Sequence, residues 1–399
     1  MTQPEGRDRA ATELALQMSL AVPIMASKGI SDVEVERAYE RAQALCEELG
    51  ELDTLFPILR GLWNCYVARG QFQRALDLAA RIAALAEKRK GAVQRALAHR
   101  ALGTTLFFLG RLTDALDQAD RAIAIDDALQ GSDSGRAHLF LYGERPGLVS
   151  RLYSGWALWF LGFPDRAVER FDAALALAES LAHAHSLAFA LAFAAHMRNN
   201  RRDFARALEY ADAASQISVK HNLPLWLAES TVAKGYAQAS LGSHAEGIGL
   251  IRSGIASLDR LGDWHHRTHW LGLLGTAHLE AGACDDALAA LNEALEVATV
   301  TEEGYCSAEL DRLKGVVLTR QDEPDEADAC FQKALSAAAQ SGAKALELRA
   351  ATSLARLWNN QGRRAEARQV LAPIYGWFTE GFDTKDLEDA KQLLDDLGN

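Results

Sequence analysis

Small and apolar residues fall along this chain at i, i+4 and i+7 spacing, the stripe by which one helix packs on another. The pattern also repeats as a whole. With the turn between two paired helices as marker, it falls at Ile30, Gly70, Gly110, Gly162, Arg202, Gly242, Gly282, Asp322 and Gly362. Every interval is 40 residues except the 52 between Gly110 and Gly162. Seven residues before the marker stands glycine at Gly103, Gly155, Gly235, Gly275 and Gly315, and alanine at Ala195 and Ala355, so the paired helices can approach closely. Five residues after it alanine recurs from Ala75 to Ala367, and nine after it comes a bulky residue such as Phe171, Leu291 or Phe331. These spacings predict nine helical hairpins stacked into an all-α, right-handed solenoid. The organisation expected is three hairpins over 1–130, a loop insertion at 131–147 and six hairpins over 148–384. A capping helix over 385–399, with Leu387, Ala390, Leu393 and Leu397 on one stripe, completes a single continuous array.

The run of small residue, turn, alanine, large residue and alanine in Gly155-Trp156, Leu161 to Ala167 and Phe171 to Leu175 resembles the tetratricopeptide repeat. The common repeat is 34 residues long, so each unit here carries about six more, roughly one and a half helical turns shared between its two helices. That length resembles the sensor repeats of bacterial signal-transduction ATPases. A longer likeness lies in Met25 to Gly29, Phe140 to Gly143, Arg145 to Gly147, Ala157 to Asp165, Leu348 to Trp358 and Tyr375 to Thr384. These segments resemble the C-terminal repeat region of large bacterial proteins that join a class III nucleotide-cyclase domain to a P-loop ATPase. The resemblance implies a sensing or docking arm and an ATPase or cyclase partner. It does not carry over an activity, because the chain has no Gly-x-x-x-x-Gly-Lys-[Ser/Thr] phosphate loop and no length in which a cyclase would fold.

Composition narrows the partners. A formal charge of −12 removes the electrostatic drive for nonspecific nucleic-acid binding. Five cysteines without a CxxC pair fit a reducing, cytoplasmic setting better than a disulfide framework. The apolar stretch from Leu14 to Ala26 is interrupted by Gln17 and Ser19 and follows acidic residues, which argues against a signal peptide, and it is too short to span a bilayer.

The first helix of each hairpin is expected to line the concave side of a solenoid. Counting back from the markers selects Arg60, Asn64, Arg100, Thr104, Trp156, Trp159, Phe189, His196, Asn199, Glu229, Tyr236, His269, Arg312, Arg349, Arg356 and Asn359 as the partner-binding face. Aromatic residues sit at its middle and arginines toward its ends, which suits an extended peptide or a neighbouring domain. A small effector is the alternative occupant, and a cryptic hydrolase or transferase activity near the 131–147 loop is a third reading. Arg60 with Asn64 has the spacing of a peptide-carboxylate clamp, but Ala101 and Tyr153 stand where further clamp residues would be needed. His265 and His269 have i, i+4 spacing, yet no Glu follows in a zinc-protease pattern, and they read as a surface cluster rather than a metal site. No catalytic, cofactor or metal residue is assigned. The N-terminal Leu14, Leu16, Leu20 and Val22 are expected to present an apolar flank.

Overall fold

The computed structural model describes residues 6–89, 91–129 and 144–398. Among these residues there are nineteen α-helices and no strand. The first six are α1 (Arg7–Lys28), α2 (Val33–Leu49), α3 (Leu52–Ala68), α4 (Phe72–Arg89), α5 (Ala92–Phe108) and α6 (Leu112–Ala128). After the long interval come α7 (Pro146–Leu161), α8 (Pro164–Ser180), α9 (Ala184–Asn200), α10 (Phe204–His221), α11 (Pro224–Ser240) and α12 (His244–Leu261). Then follow α13 (Arg267–Glu280), α14 (Cys284–Thr301), α15 (Ser307–Arg320), α16 (Pro324–Ser341), α17 (Lys344–Asn360), α18 (Arg364–Tyr375) and α19 (Lys385–Gly398). The first eighteen pair in order as nine hairpins, and α19 packs on α17 and α18. The chain is a tetratricopeptide-like α-solenoid.

Left-handed backbone explains the markers. Gly70, Gly110, Gly162, Gly242, Gly282 and Gly362 all have positive φ, as the C-terminal caps of the first helices require. Arg202 (φ 58°) and Asp322 (φ 63°) take the same conformation without glycine, held by the hairpins on either side. In the first hairpin the left-handed residue is Gly29 and not Ile30, so the beat there is displaced by one position. A second series of left-handed residues ends the outer helices at Ala182, Asn222, Gly262, Glu302 and Gly342, again 40 residues apart.

The small residue and the bulky one belong to the same hairpin. A Cβ on Gly155 would lie 2.6 Å from the Phe171 ring, one on Gly275 2.8 Å from Leu291, and one on Gly315 2.6 Å from Phe331. Gly235 is less forgiving, because its Cβ would meet backbone, the Gly247 carbonyl oxygen at 2.7 Å and the Ile251 nitrogen at 2.8 Å. Backbone cannot rotate aside as a side chain can. Gly235→Ala is therefore expected to destabilise the protein by about 1–3 kcal/mol through overpacking, read as a lower urea midpoint with unchanged slope.

The superhelix closes on itself. The Trp264 N–H donates to the Ala68 carbonyl at 2.8 Å, and the Gly304 N–H donates to the Phe108 carbonyl at 2.8 Å. Trp264 and Gly304 are one repeat apart, and so are Ala68 and Phe108, so successive hairpins of the second turn dock on successive hairpins of the first. The contact continues at Gly162, which abuts Lys344, Trp377 and Phe378. It ends where Arg201 pairs with Asp383 (3.0 Å) and Arg202 with Asp386 and Asp389 (both 2.9 Å). The segment from Tyr375 to Thr384 finds its role here. Glu380 Oε1 accepts from the Asp165 and Arg166 N–H groups at the start of α8, and the Gly381 N–H donates to Asp165 Oδ2. It ties the C-terminal end of the array to the fourth hairpin.

One apolar core runs from Ala10 to Leu346 through both turns, and smaller clusters finish the last hairpins and the cap. At the N-terminal flank Leu14 is buried, whereas Leu16 and Leu20 are exposed. The predicted loop insertion lies outside the described residues except for its last four positions, 144–147. There Arg145 donates through Nε to both oxygens of fully buried Asp126 (3.0 and 3.1 Å).

Candidate functional site

Closure of the superhelix decides where a ligand can go. The middle of the predicted concave face is filled rather than open. Trp156 is 1% exposed and has Phe107, Phe193, His266, His269 and Tyr305 around it, with ring centroids 5.3 to 6.2 Å away. Trp159, Phe189, His196, Glu229 and Thr104 are buried too. Glu229 Oε2 lies 3.2 Å from His196 Nε2 and accepts from Trp270 Nε1 at 3.2 Å, a polar pair inside the plug. These residues were expected to meet a partner. Trp156 and Trp159 meet the other turn of the same superhelix, at Tyr305 and beside Leu348 and Phe378, while Phe189, His196 and Glu229 are covered by neighbouring hairpins.

A cavity remains on either side of this aromatic plug. The N-terminal one, about 240 Å³, brings Asn64, Arg100, Thr104 and Phe189 together with Trp63, Tyr153 and Trp226. Its lining arginines are already engaged: Arg100 Nη2 donates to Glu144 Oε2 (2.9 Å) and Arg145 is held by Asp126, while Arg60, outside the lining, donates through Nη1 to Glu144 Oε1 (3.3 Å). The supposed carboxylate clamp of Arg60 thus holds a carboxylate of its own chain, and its second arm is Arg100 rather than Asn64.

The C-terminal cavity, about 260 Å³, gathers Asn199, Tyr236, His269, Arg312 and Arg349 from the predicted face. It adds Arg202, Glu280 and Glu309, which counting from the markers passed over. Arg202 is itself a marker and lies outside the helical stripe, and Glu280 ends α13. The walls come from the inner helices of five successive hairpins, α9, α11, α13, α15 and α17, with Phe160 of α7. Arg312 grips Glu309 through Nε and Nη2 (2.8 and 2.7 Å), and Arg349 reaches the same carboxylate at 3.3 Å. Burial pushes the Glu309 carboxyl up, but Arg312 and then Arg349 outweigh it and bring it down to about 2. Burial, with His196 adding to it, holds the His269 imidazole down to about 3, so that ring is neutral. Burial and then Glu280 push the Tyr236 hydroxyl up to about 12. Three residues that line this cavity each carry a buried polar atom without a protein partner: Asn199 Oδ1, Asn200 Nδ2 and His269 Nε2. Asn199 Nδ2 is fixed by the Ala233 carbonyl (2.9 Å), which leaves its oxygen turned toward other partners.

Two predicted residues stand apart from both cavities. Arg356 is exposed and 3.8 Å from Asp389, and Asn359 is half-buried on the last hairpin. The histidine cluster is not a surface feature, since His265 and His266 are buried at the junction of the two turns and His265 is hydrogen-bonded to Asp263. Among the described residues no group of three or more His, Cys, Asp or Glu is placed to hold a metal ion. Burial pushes the Cys65 thiol up to about 12 and the Cys306 thiol well above its ordinary value, which disfavours their thiolates. No described helix is long and apolar enough to cross a membrane.

No protein-family profile matches the chain. It is 25% identical over 352 residues to an uncharacterized protein, R02095, of Rhizobium meliloti (strain 1021), covering 87% of this chain and 33% of that protein. The chain therefore spans about a third of the length of the curated relative it matches. Among solved structures, it superposes on a Rap protein in complex with competence and sporulation factor with a TM-score of 0.58 and 12% identity, over 84% of this chain and 99% of that one. The apo form of the quorum sensor NprR from B. thuringiensis gives a TM-score of 0.50 and 13% identity, over 98% and 99% of the two chains. At such identities the likeness is one of fold.

Proposed function

We propose that the chain is a non-catalytic regulatory module that receives a small effector, or the end of a short peptide, in its C-terminal cavity. The observation that carries this is the set of unpartnered buried polar atoms, Asn199 Oδ1, Asn200 Nδ2 and His269 Nε2, beside a charged and aromatic cavity. Buried groups of this kind are stabilised by a partner, and a ligand carrying both donors and acceptors supplies it. At about 260 Å³ the space suits a small molecule or two linked residues and not an extended peptide laid across the plug. Because the walls belong to successive hairpins of the superhelix, an occupant bears on how those hairpins curve around it. The Rap and NprR proteins named above, with a competence factor bound and a quorum-sensing role, supply a precedent for this fold in signalling. The resemblance of the sequence to cyclase–ATPase proteins favours an ATPase or cyclase as the partner that reads the occupancy. The raised thiols of Cys65 and Cys306 weigh against a cysteine-based hydrolase.

The test is recovery of the ligand. Tagged protein isolated from its source cells is denatured, and released small molecules are compared with those from Thr276→Trp, which fills the cavity from α13. A compound enriched with the wild type and lost from a folded Thr276→Trp protein is the expected result. Equal small-molecule profiles from the two would refute the effector reading.

A further inference from the structure

Two arginines that line the C-terminal cavity converge on one carboxylate of the chain itself. Arg349 Nε donates to Asp386 Oδ2 at 2.6 Å, and Arg202 Nη2 donates to Asp386 Oδ1 at 2.9 Å, so each oxygen of the carboxylate holds one guanidinium. The three residues come from the ninth hairpin, the turn of the fifth and the first turn of α19. Asp386 and Arg349 are nearly buried. The other mouth repeats the device: Glu144 gives one oxygen to Arg60 and the other to Arg100.

We propose that the Arg202–Arg349 pair is a carboxylate-binding site of which Asp386 is the built-in competitor, so that a small carboxylate ligand in the cavity displaces Asp386 and frees α19. The inference rests on the effector reading above and adds the chemistry of the ligand and the element it moves. The charge of the site selects the ligand. Removing Asp386 leaves Arg349 buried against Asn200 O and a Glu309 already shared with Arg312, so a neutral or cationic ligand would leave a desolvated guanidinium short of a counter-charge. A ligand carboxylate restores both charge-assisted bonds, and the desolvation of Arg349 is already met in the closed form. Asp389, half-exposed and bonded to Arg202 Nη1, is the outer latch. Displacement of Asp386 leaves α19 held by its apolar stripe, by Asp389 with Arg202 and Arg356, and by Arg364 and Arg368, which donate to the Asp396 and Leu394 carbonyls.

The experiment uses the full chain and three probes: the dipeptide Ala-Ala, its C-terminal amide, and succinate. Binding is measured by calorimetry on wild type and Asp386→Asn, and hydrogen–deuterium exchange follows the amides of α19. Removing the competitor raises the population of the receptive form, so a carboxylate probe is expected to bind Asp386→Asn about tenfold more tightly than wild type. The same probe, added to wild type, should bring α19 exchange toward that of the variant, and the amide should do neither. Binding of Ala-Ala over succinate marks a peptide end, and the reverse order marks a free acid. Asp389→Asn, which loosens only the outer latch, should show the same changes to a smaller degree and serves if Asp386→Asn fails to fold. Equal affinity in wild type and variant, binding of the amide as well as the acid, or no carboxylate binding to either protein overturns the proposal. Recovery of a ligand without a carboxylate from the cells would overturn it too while leaving the effector reading intact.

Discussion

Trp156→Ala is expected to unfold the centre of the molecule rather than to weaken a ligand. Its ring is 1% exposed and touches aromatic residues from four other hairpins, so truncation leaves a cavity that Phe107, Phe193 and Tyr305 cannot collapse into without moving both turns of the superhelix. Large-to-small changes of this kind cost about 3–5 kcal/mol. In chemical denaturation the variant should show a much lower midpoint, and it should lose the protection of the Trp264 and Gly304 amides that bond across the turns. A variant as stable as wild type would mean that the plug is not packed as described. Conservative replacement by Phe keeps part of the contact and should lose much less.

Stability should fall between pH 6.5 and 8, and Glu303→Gln should abolish most of that fall. Glu303 is buried at the junction of the turns beside Tyr305, Cys306, Thr268 and His265. Burial pushes its carboxyl up to about 8 from an ordinary 4.5, and the Thr268 hydroxyl and His265 oppose this only in part. The folded state thus keeps a proton that the unfolded state releases. A group of this kind adds its full stability below pH 4.5 and loses it as pH rises to about 8, at about 1.4 kcal/mol per pH unit. The neutral, depressed histidines His266 and His269 act in the opposite sense, since they favour the folded state more as pH rises toward 6.5. Above 6.5 that contribution is complete and the Glu303 effect stands alone among these groups. His265, which Asp263 holds up against the burial that lowers it, adds to the same fall. At pH 8 Glu303→Gln should be more stable than wild type by about 3–4 kcal/mol, and by little at pH 5. Thermal or urea unfolding of both proteins across pH 5 to 8 gives the difference curve. A constant difference across that range would show that Glu303 does not carry the proton.

Both predictions concern the closure of the superhelix, and both depend on contacts that no local pattern announces. The hairpins themselves were plain. The glycine before each turn and the bulky residue after it met in one hairpin at Gly155 and Phe171, at Gly275 and Leu291, and at Gly315 and Phe331. Trp156, Trp159, His196 and Glu229 lie on the face that the spacing selects for a partner, and later or neighbouring hairpins of the chain cover them. An aromatic residue on an inner face looks the same whether a ligand or a later repeat covers it, since burial within one turn is complete without it.

The candidate site was half visible. Asn199, Tyr236, His269, Arg312 and Arg349 fall on the counted stripe and do line the C-terminal cavity, whereas Arg202, Glu280 and Glu309 reach it from a turn, a helix end and a neighbouring face. The carboxylates that occupy the arginines, Glu144 and Asp386, are far from them in sequence and carry no motif.

By itself the sequence determined the repeat unit, because helix pairing depends on residues within one 40-residue period and on the left-handed turn that ends each inner helix. It also exposed the conserved geometry of that unit where the turn lacks glycine, at Arg202 and Asp322. Only the tertiary structure decided the rest. The rotation between neighbouring hairpins is set by many side chains at once, and it accumulates over five hairpins before Trp264 meets Ala68 and Gly304 meets Phe108. Whether the groove is open or filled, and which arginines stay available to a ligand, follows from that sum.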